Sequence, residues 1–221
     1  IPGPKAVELV SRFLGEEITR LRRFRCWEGE GFSCRITVSR TGYTGEDGFE
    51  ITFWDVDAAK KAFVQLVEAG ATPCGLAARD ILRLEAGMCL YGADITEETT
   101  PVEASLERFV KLDKEFIGKS RVVEQINRGV ERRRVGILSS SRRAPRRGNE
   151  IIHKGEVVGE ITSGTFSPTV GRGIGMGYIR AELATEGVEV LIKGLGEFKA
   201  TVSKMPFYDT SKYGWRRSRS S

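Results

Sequence analysis

Histidine is nearly absent from this chain of 221 residues: His153 stands alone. A histidine-rich metal site is excluded by that count, and a Ser–His–Asp relay is disfavoured. Cysteine is scarce too. Cys26, Cys34, Cys74 and Cys89 show no CxxC spacing, so no zinc signature is present and no metal is expected. No apolar run approaches the about 18–20 residues that cross a bilayer, so no membrane partner is expected. A strong excess of one sign of charge is missing as well. The chain carries 35 Lys and Arg against 30 Asp and Glu, a net +5 with a pI near 9.1. Its basic residues are dispersed, without a recognition module or a stacking array, which speaks against a nucleic-acid partner. An anionic substrate or an acidic partner protein fits the same charge. No internal repeat is visible.

The remaining composition, 40% hydrophobic and 29% charged over 24.5 kDa, is that of a globular chain able to bury one or two cores. Glycine is abundant, and its most informative cluster is SRTGYTGEDGFE, residues 39–50. Gly42, Gly45 and Gly48 are spaced three apart and threaded with Tyr43, Glu46 and Asp47. Such spacing supplies positive φ angles and allows close approach to the backbone, by a ligand or simply within a hairpin turn. In the strand that follows, 49–54, alternation puts Phe49, Ile51 and Phe53 on one face and Glu50 and Thr52 on the other. With the aromatic face as core, Glu50 points into solvent or into a site. As a site residue it could receive two parallel N–H donors, from a guanidinium or from the amino-pyrimidinone edge of a pterin.

GLAARDILRLEAG, 75–87, reads as a helix with Leu76, Ile81 and Leu82 as apolar positions and Gly87 as its stop. Arg79 and Arg83 share a face four residues apart, a repulsive pair unless an acid or an anionic ligand intervenes. Beyond MCLYGADI, Pro101 in TTPVEASLERF can open a short helix capped by Thr100.

These segments, with ERRRVGI (131–137), ITSGTFSP (161–168), GMGYI (175–179) and the closing KMPFY (204–208), resemble the T-protein family of the glycine cleavage system, the tetrahydrofolate-dependent aminomethyltransferases. The motifs follow the family's order and run from IPGPKA at the start to Tyr213. The resemblance implies that Tyr43 and Glu50 contact the pterin of tetrahydrofolate and that Arg79 completes this polar cradle. It also implies that Arg134 steadies the folate near its anionic end and that Tyr213 lies near the same cavity. Arg108 stands where the family mostly has tryptophan. The family's proteins begin well before the segment matching IPGPKA, and the aspartate regarded as catalytic lies there. This chain is therefore expected to be a carboxy-terminal portion, with no catalytic residue of its own and little turnover by itself.

The implied reaction passes the methylene carbon of an aminomethyl group, carried on the dihydrolipoyl arm of the lipoylated H-protein, to tetrahydrofolate, releasing ammonia. Tetrahydrofolate is the acceptor substrate, and the compartment implied is the cytoplasm, or the mitochondrial matrix in a eukaryote. Alternatives are a non-catalytic folate-binding or scaffold protein of the same family, a demethylase domain serving a flavin partner, and a basic interaction module.

The expected fold class is α+β. Residues 1–118 form an antiparallel α/β portion of a folate-binding domain. It contains a helix over 4–14 closed by Gly15, hairpin strands near 21–27 and 32–39, the strand at 49–54, and a helix over 57–69. The last carries an apolar stripe of Ala59, Ala62, Phe63, Leu66 and Val67. Residues 119–213 follow as a connector helix (119–127) and a small barrel-like domain. Its candidate strands are 133–139, 149–153, 156–163, 173–179, 187–193 and 197–204. The stretch 141–147 is a basic surface loop, and 214–221 a basic tail expected to lack fixed structure. Cys26 and Cys34 flank Glu28-Gly29-Glu30-Gly31, read as a hairpin turn, so they either face each other across two strands or remain free thiols. His153 precedes Lys154-Gly155, read as a two-residue turn, and is expected at the surface.

Overall fold

The computed structural model describes residues 1–216. It divides into two compact units, Ile1–Leu82 with Asp209–Ser221, and Arg83–Tyr208. Residues 83–118, assigned above to the first domain, belong to the second unit.

In the first unit, α1 (Ala6–Leu14) buries Ala6 and Val10, one turn apart, and ends at Gly15 with φ 77°. A single turn, α2 (Glu17–Arg20), buries Ile18. An antiparallel meander follows: β1 (Cys26–Gly31), β2 (Cys34–Ser39) and β3 (Glu50–Phe53). Ile36, Val38 and Phe49 complete the core with Val10 and Ile18. The turn between β1 and β2 is not the Glu28–Gly31 stretch, which lies within β1, but Phe32-Ser33, with φ of 52° and 63°. Two central residues at positive φ match the right-handed strand twist. Phe32 is held there by stacking on Phe13 at 5.1 Å. In this register Cys26 pairs with Ser39 and Cys34 with Gly31, so the two thiols do not oppose each other; all four cysteines are free.

Helix α3 (Val56–Glu68) starts at Asp55, whose carboxylate accepts the Ala58 N–H at 2.6 Å. Its buried stripe is narrower than the sequence suggests. Ala62 and Leu66, one turn apart, are buried, whereas Phe63 is 62% exposed. Helix α4 (Leu76–Glu85) ends at Gly87 (φ 72°). The Gly87 N–H bonds the Leu84 carbonyl and the Met88 N–H that of Arg83, the paired closure that relieves unpaired terminal carbonyls. Its burial inverts the expectation: Leu76 is 81% exposed, and Arg83, Leu84 and Glu85 are buried.

In the second unit, Thr100 and Glu103 form a reciprocal cap. The Thr100 N–H bonds the Glu103 carboxylate at 3.0 Å, and the Glu103 N–H bonds the Thr100 hydroxyl at 3.2 Å. The expected helix after Pro101 does not extend beyond turns. Helix α5 (Lys119–Arg128) leads into β4 (Arg132–Ser139), β5 (Glu150–His153), β6 (Glu156–Ser167), β7 (Arg172–Arg180), β8 (Glu189–Gly194) and β9 (Gly196–Ser203). All six form a closed antiparallel barrel in the order β4-β7-β6-β5-β8-β9, with β9 pairing back onto β4. Ile137, Ile151, Ile161, Ile179 and Ile192 fill its interior. A second cluster, Leu84, Ile174 and Met176 with Leu138, Met205 and Phe207, covers part of the outer face of β4 and β7. The chain is thus an α+β fold ending in a barrel. His153 is part-exposed at the end of β5, followed by a turn with Lys154 and Gly155 at φ 50° and 86°.

Of the tail expected over 214–221, residues 217–221 lie outside the described residues. Gly214 and Trp215 donate backbone N–H groups to the Glu46 carboxylate (2.9 Å) and the Gly45 carbonyl (3.0 Å).

Candidate functional site

The glycine-rich loop between β2 and β3 is anchored by a carboxylate. Asp47 receives Arg40 through two nitrogens, at 3.2 and 2.7 Å, and Arg23 at 3.4 Å. Arg40 also donates to the carbonyls of Thr19 (3.2 Å) and Leu21 (2.6 Å). Burial opposes the charge on Asp47, but the Arg40 hydrogen bond and charge, the Gly48 N–H and Arg23 together hold its carboxyl below the usual range. Two of the loop's glycines have identifiable work. Gly45 sits at φ 79°, and a Cβ on Gly48 would lie 2.5 Å from the Ile1 carbonyl oxygen. The close approach at Gly48 is thus made by the chain's own backbone.

Upon this anchored loop the first unit gathers Tyr43, Glu50 and Arg79. Glu50 opens β3 on its exposed face, as the alternation predicts, with Phe49 fully buried on the other. The Arg79 guanidinium stands over the Tyr43 ring at 5.5 Å, and its Nη2 lies 3.8 Å from Glu50 Oε1. Both charged side chains are about half exposed (51% and 49%). At 3.8 Å this is an ion pair without a hydrogen bond, so donor and acceptor capacity remains on both partners. Such a carboxylate suits a planar donor edge and such a guanidinium suits carbonyl or carboxylate oxygens. Tyr213, 46% exposed, is carried beside the loop by the Gly214 and Trp215 contacts, and Trp215 is itself stacked under Arg23 at 4.2 Å.

Arg134 lies in the second unit, in β4, 5% exposed. Its Nε donates to the Ala104 carbonyl at 2.8 Å and its Nη1 to the Gly87 carbonyl at 3.2 Å, with the Met176 sulfur 2.9 Å from Nη1. Nη2 is the guanidinium nitrogen that no hydrogen bond among the described residues engages. Arg108 lies over the Phe109 ring at 4.7 Å.

Sequence reasoning missed a buried polar network in the second unit. Asp94, with a side chain wholly buried, accepts Arg83 Nη1 at 2.5 Å, the Leu90 N–H at 2.9 Å and the Thr162 hydroxyl at 2.6 Å. The Tyr178 hydroxyl donates to the Asp94 carbonyl at 2.8 Å; burial pushes its pKa up to about 12, keeping it a donor. Burial likewise raises Cys89, outweighing the Arg134 charge, so that thiol stays protonated. Glu85 accepts the hydroxyls of Ser167 (2.5 Å) and Thr169 (3.0 Å). The only local signal for this network was the Arg79–Arg83 pair, whose repulsion called for an intervening acid. Among the described residues no group of three or more His, Cys, Asp or Glu is placed to hold a metal ion, and no helix is long and apolar enough to cross a membrane.

Comparison with known proteins settles the lineage. The GCVT N-terminal domain matches residues 1–114, and the glycine cleavage T-protein C-terminal barrel domain matches 132–209. The chain belongs to the glycine cleavage T-protein family. It is 43% identical to the aminomethyltransferase of Rippkaea orientalis over 212 residues, covering 94% of this chain and 57% of that protein. It is 44% identical to that of Rubrobacter xylanophilus over 211 residues, covering 94% and 56%. The crystal structure of glycine cleavage system aminomethyltransferase T from Bartonella henselae matches with a TM-score of 0.85 at 34% identity, over 93% of this chain and 57% of that one. The chain thus spans less than two thirds of the length of these T-protein relatives.

Proposed function

We propose that this chain works in tetrahydrofolate-dependent aminomethyl transfer of the glycine cleavage system. The reaction moves the methylene carbon from the aminomethyl group on the dihydrolipoyl arm of H-protein to tetrahydrofolate, with release of ammonia. Family membership supports this reading. The observation in the fold that carries it is the half-exposed Glu50 and Arg79 beside the Tyr43 ring, on a loop fixed by Asp47. In this reading Glu50 accepts the N–H edge of the pterin, Arg79 donates to its oxygen, and Tyr43 and Tyr213 flank it, while Arg134 holds the anionic end of the folate through Nη2. Holding the folate nitrogen against an electrophilic carbon, with water excluded, lowers a barrier by roughly 7–11 kcal/mol when geometry is good.

The domain division proposed is 1–118 for the folate-domain portion and 119–213 for the connector and barrel; the family matches over 1–114 and 132–209 support it. The compartment proposed is the cytoplasm, or the mitochondrial matrix in a eukaryote.

The test is calorimetric titration of tetrahydrofolate into the chain and its Glu50→Gln variant. Loss of a charged hydrogen bond removes about 1.5–3 kcal/mol, so the variant should bind about tenfold or more weakly. Equal affinity of both proteins would remove Glu50 from the cradle. Absence of binding by either would mean that this chain does not form the site by itself.

A further inference from the structure

The outer wall of the barrel carries a groove of about 530 Å³ that shares no residue with the pterin cradle. Strand alternation builds its floor. Inward-facing Ile151, Val190, Ile192 and Ala200 fill the barrel core, so their neighbours Ile152 and Leu191 face outward. These two lie opposite each other on paired strands, and Leu191 in turn lies opposite Lys199. Leu138 of β4 extends the apolar floor.

Around it stand Lys154, Arg172 and Lys199 against a single carboxylate, Glu189. None of the three cations has an ion pair or a side-chain hydrogen bond among the described residues, whereas on the same barrel Lys193 pairs with Glu150 and Arg180 with Glu156. His153 lines the groove too. Its Nδ1 lies 2.8 Å from the Glu189 carbonyl, which can only accept, so that nitrogen carries a proton and fixes the ring against the wall.

An apolar floor of a few hundred Å³ with a small number of placed polar groups is the usual form of a small-molecule site. Three cations against one carboxylate make such a site attractive to anions. We propose that this groove binds a small organic anion with an apolar body, carrying a carboxylate or phosphate head. The body lies on Leu138, Ile152 and Leu191, and the head meets Lys154, Arg172 and Lys199.

Because the chain has one histidine, its C2–H proton resonance is an unambiguous reporter placed in the groove. Hexyl phosphate and heptanoate are each titrated into the full chain while this resonance is followed, beside inorganic phosphate and hexanol. At least one amphiphilic anion should shift the resonance saturably, and the tighter of the two names the head group. Inorganic phosphate and hexanol should each bind at least about tenfold more weakly, since each lacks half of the match. The Lys154→Glu/Lys199→Glu variant alters two exposed side chains and should weaken the anion at least about tenfold. Saturation by neither anion overturns the proposal. So does equal binding of hexanol or inorganic phosphate, or unchanged affinity in the charge-reversed variant.

Discussion

Asp94→Ala should be among the most damaging single changes in the chain. The carboxylate is fully buried and receives a guanidinium, a backbone N–H and a hydroxyl, all at 2.9 Å or less. Its removal takes from Arg83, whose side chain is 3% exposed, the carboxylate that lies 2.5 Å from its Nη1. Breaking a buried pair from one side costs about 3–5 kcal/mol, because the remaining charge loses its buried counter-ion. For a unit of this size that is a fall in Tm of roughly 10–20 °C. The size of the loss alone does not isolate the charge, since a cavity also costs energy. A second variant does: Arg83→Met/Asp94→Leu removes both charges and fills the space. Replacing a buried pair by apolar groups is often close to neutral, so the double variant should be more stable than Asp94→Ala by about 2 kcal/mol or more. The assay is urea unfolding followed by far-UV circular dichroism. Tryptophan fluorescence is a separate readout, because Trp27, Trp54 and Trp215 all lie in the first unit. A loss below about 1 kcal/mol in Asp94→Ala, or a double variant no more stable than Asp94→Ala, would refute the reasoning.

The Asp47 anchor predicts a pH dependence. Its folded carboxyl lies below the unfolded value, so its contribution is fully present above about pH 4–5 and is lost as pH falls through the folded value. The stability gap between the native chain and Asp47→Asn should be widest near neutrality and shrink below about pH 4; a gap constant from pH 7 to 3 would exclude the ion pair as its source. Ser33→Gly relieves a left-handed conformation at φ 63° and should stabilise by about 0.5–1 kcal/mol in urea unfolding, whereas a loss would show that the hydroxyl or Cβ is needed there.

The barrel was legible because its strands are punctuated by glycines and its apolar residues alternate; every expected strand is present within a few residues of its expected limits. The first hairpin was not. Its turn residues, Phe32 and Ser33, are not the types that ordinarily accept positive φ, while the glycines nearby serve packing within β1. A Cβ on Gly31, for example, would meet Leu14 and Ile36 at 2.5 and 2.6 Å. Stacking of Phe32 on Phe13, with the Phe53 ring tilted against it, offsets the backbone cost, and such tertiary contacts leave no mark on local sequence.

Helix α4 shows the same limit inside the candidate site. Arg79 and Arg83 occupy equivalent positions on a 3.6-residue repeat, so periodicity alone assigns them one role. Their environments differ through partners far along the chain. Arg83 meets Asp94 and Ser163, the latter 80 residues away, and is consumed by structure. Arg79 meets Glu50 at 3.8 Å, half in solvent, with an aromatic ring beside it. A guanidinium that is already saturated by buried acceptors gains little from a ligand. One held loosely against a carboxylate can trade that pairing for two ligand contacts, one to each partner. The assignment of Arg79, rather than Arg83, to the pterin cradle therefore follows from what each arginine still has left to bond.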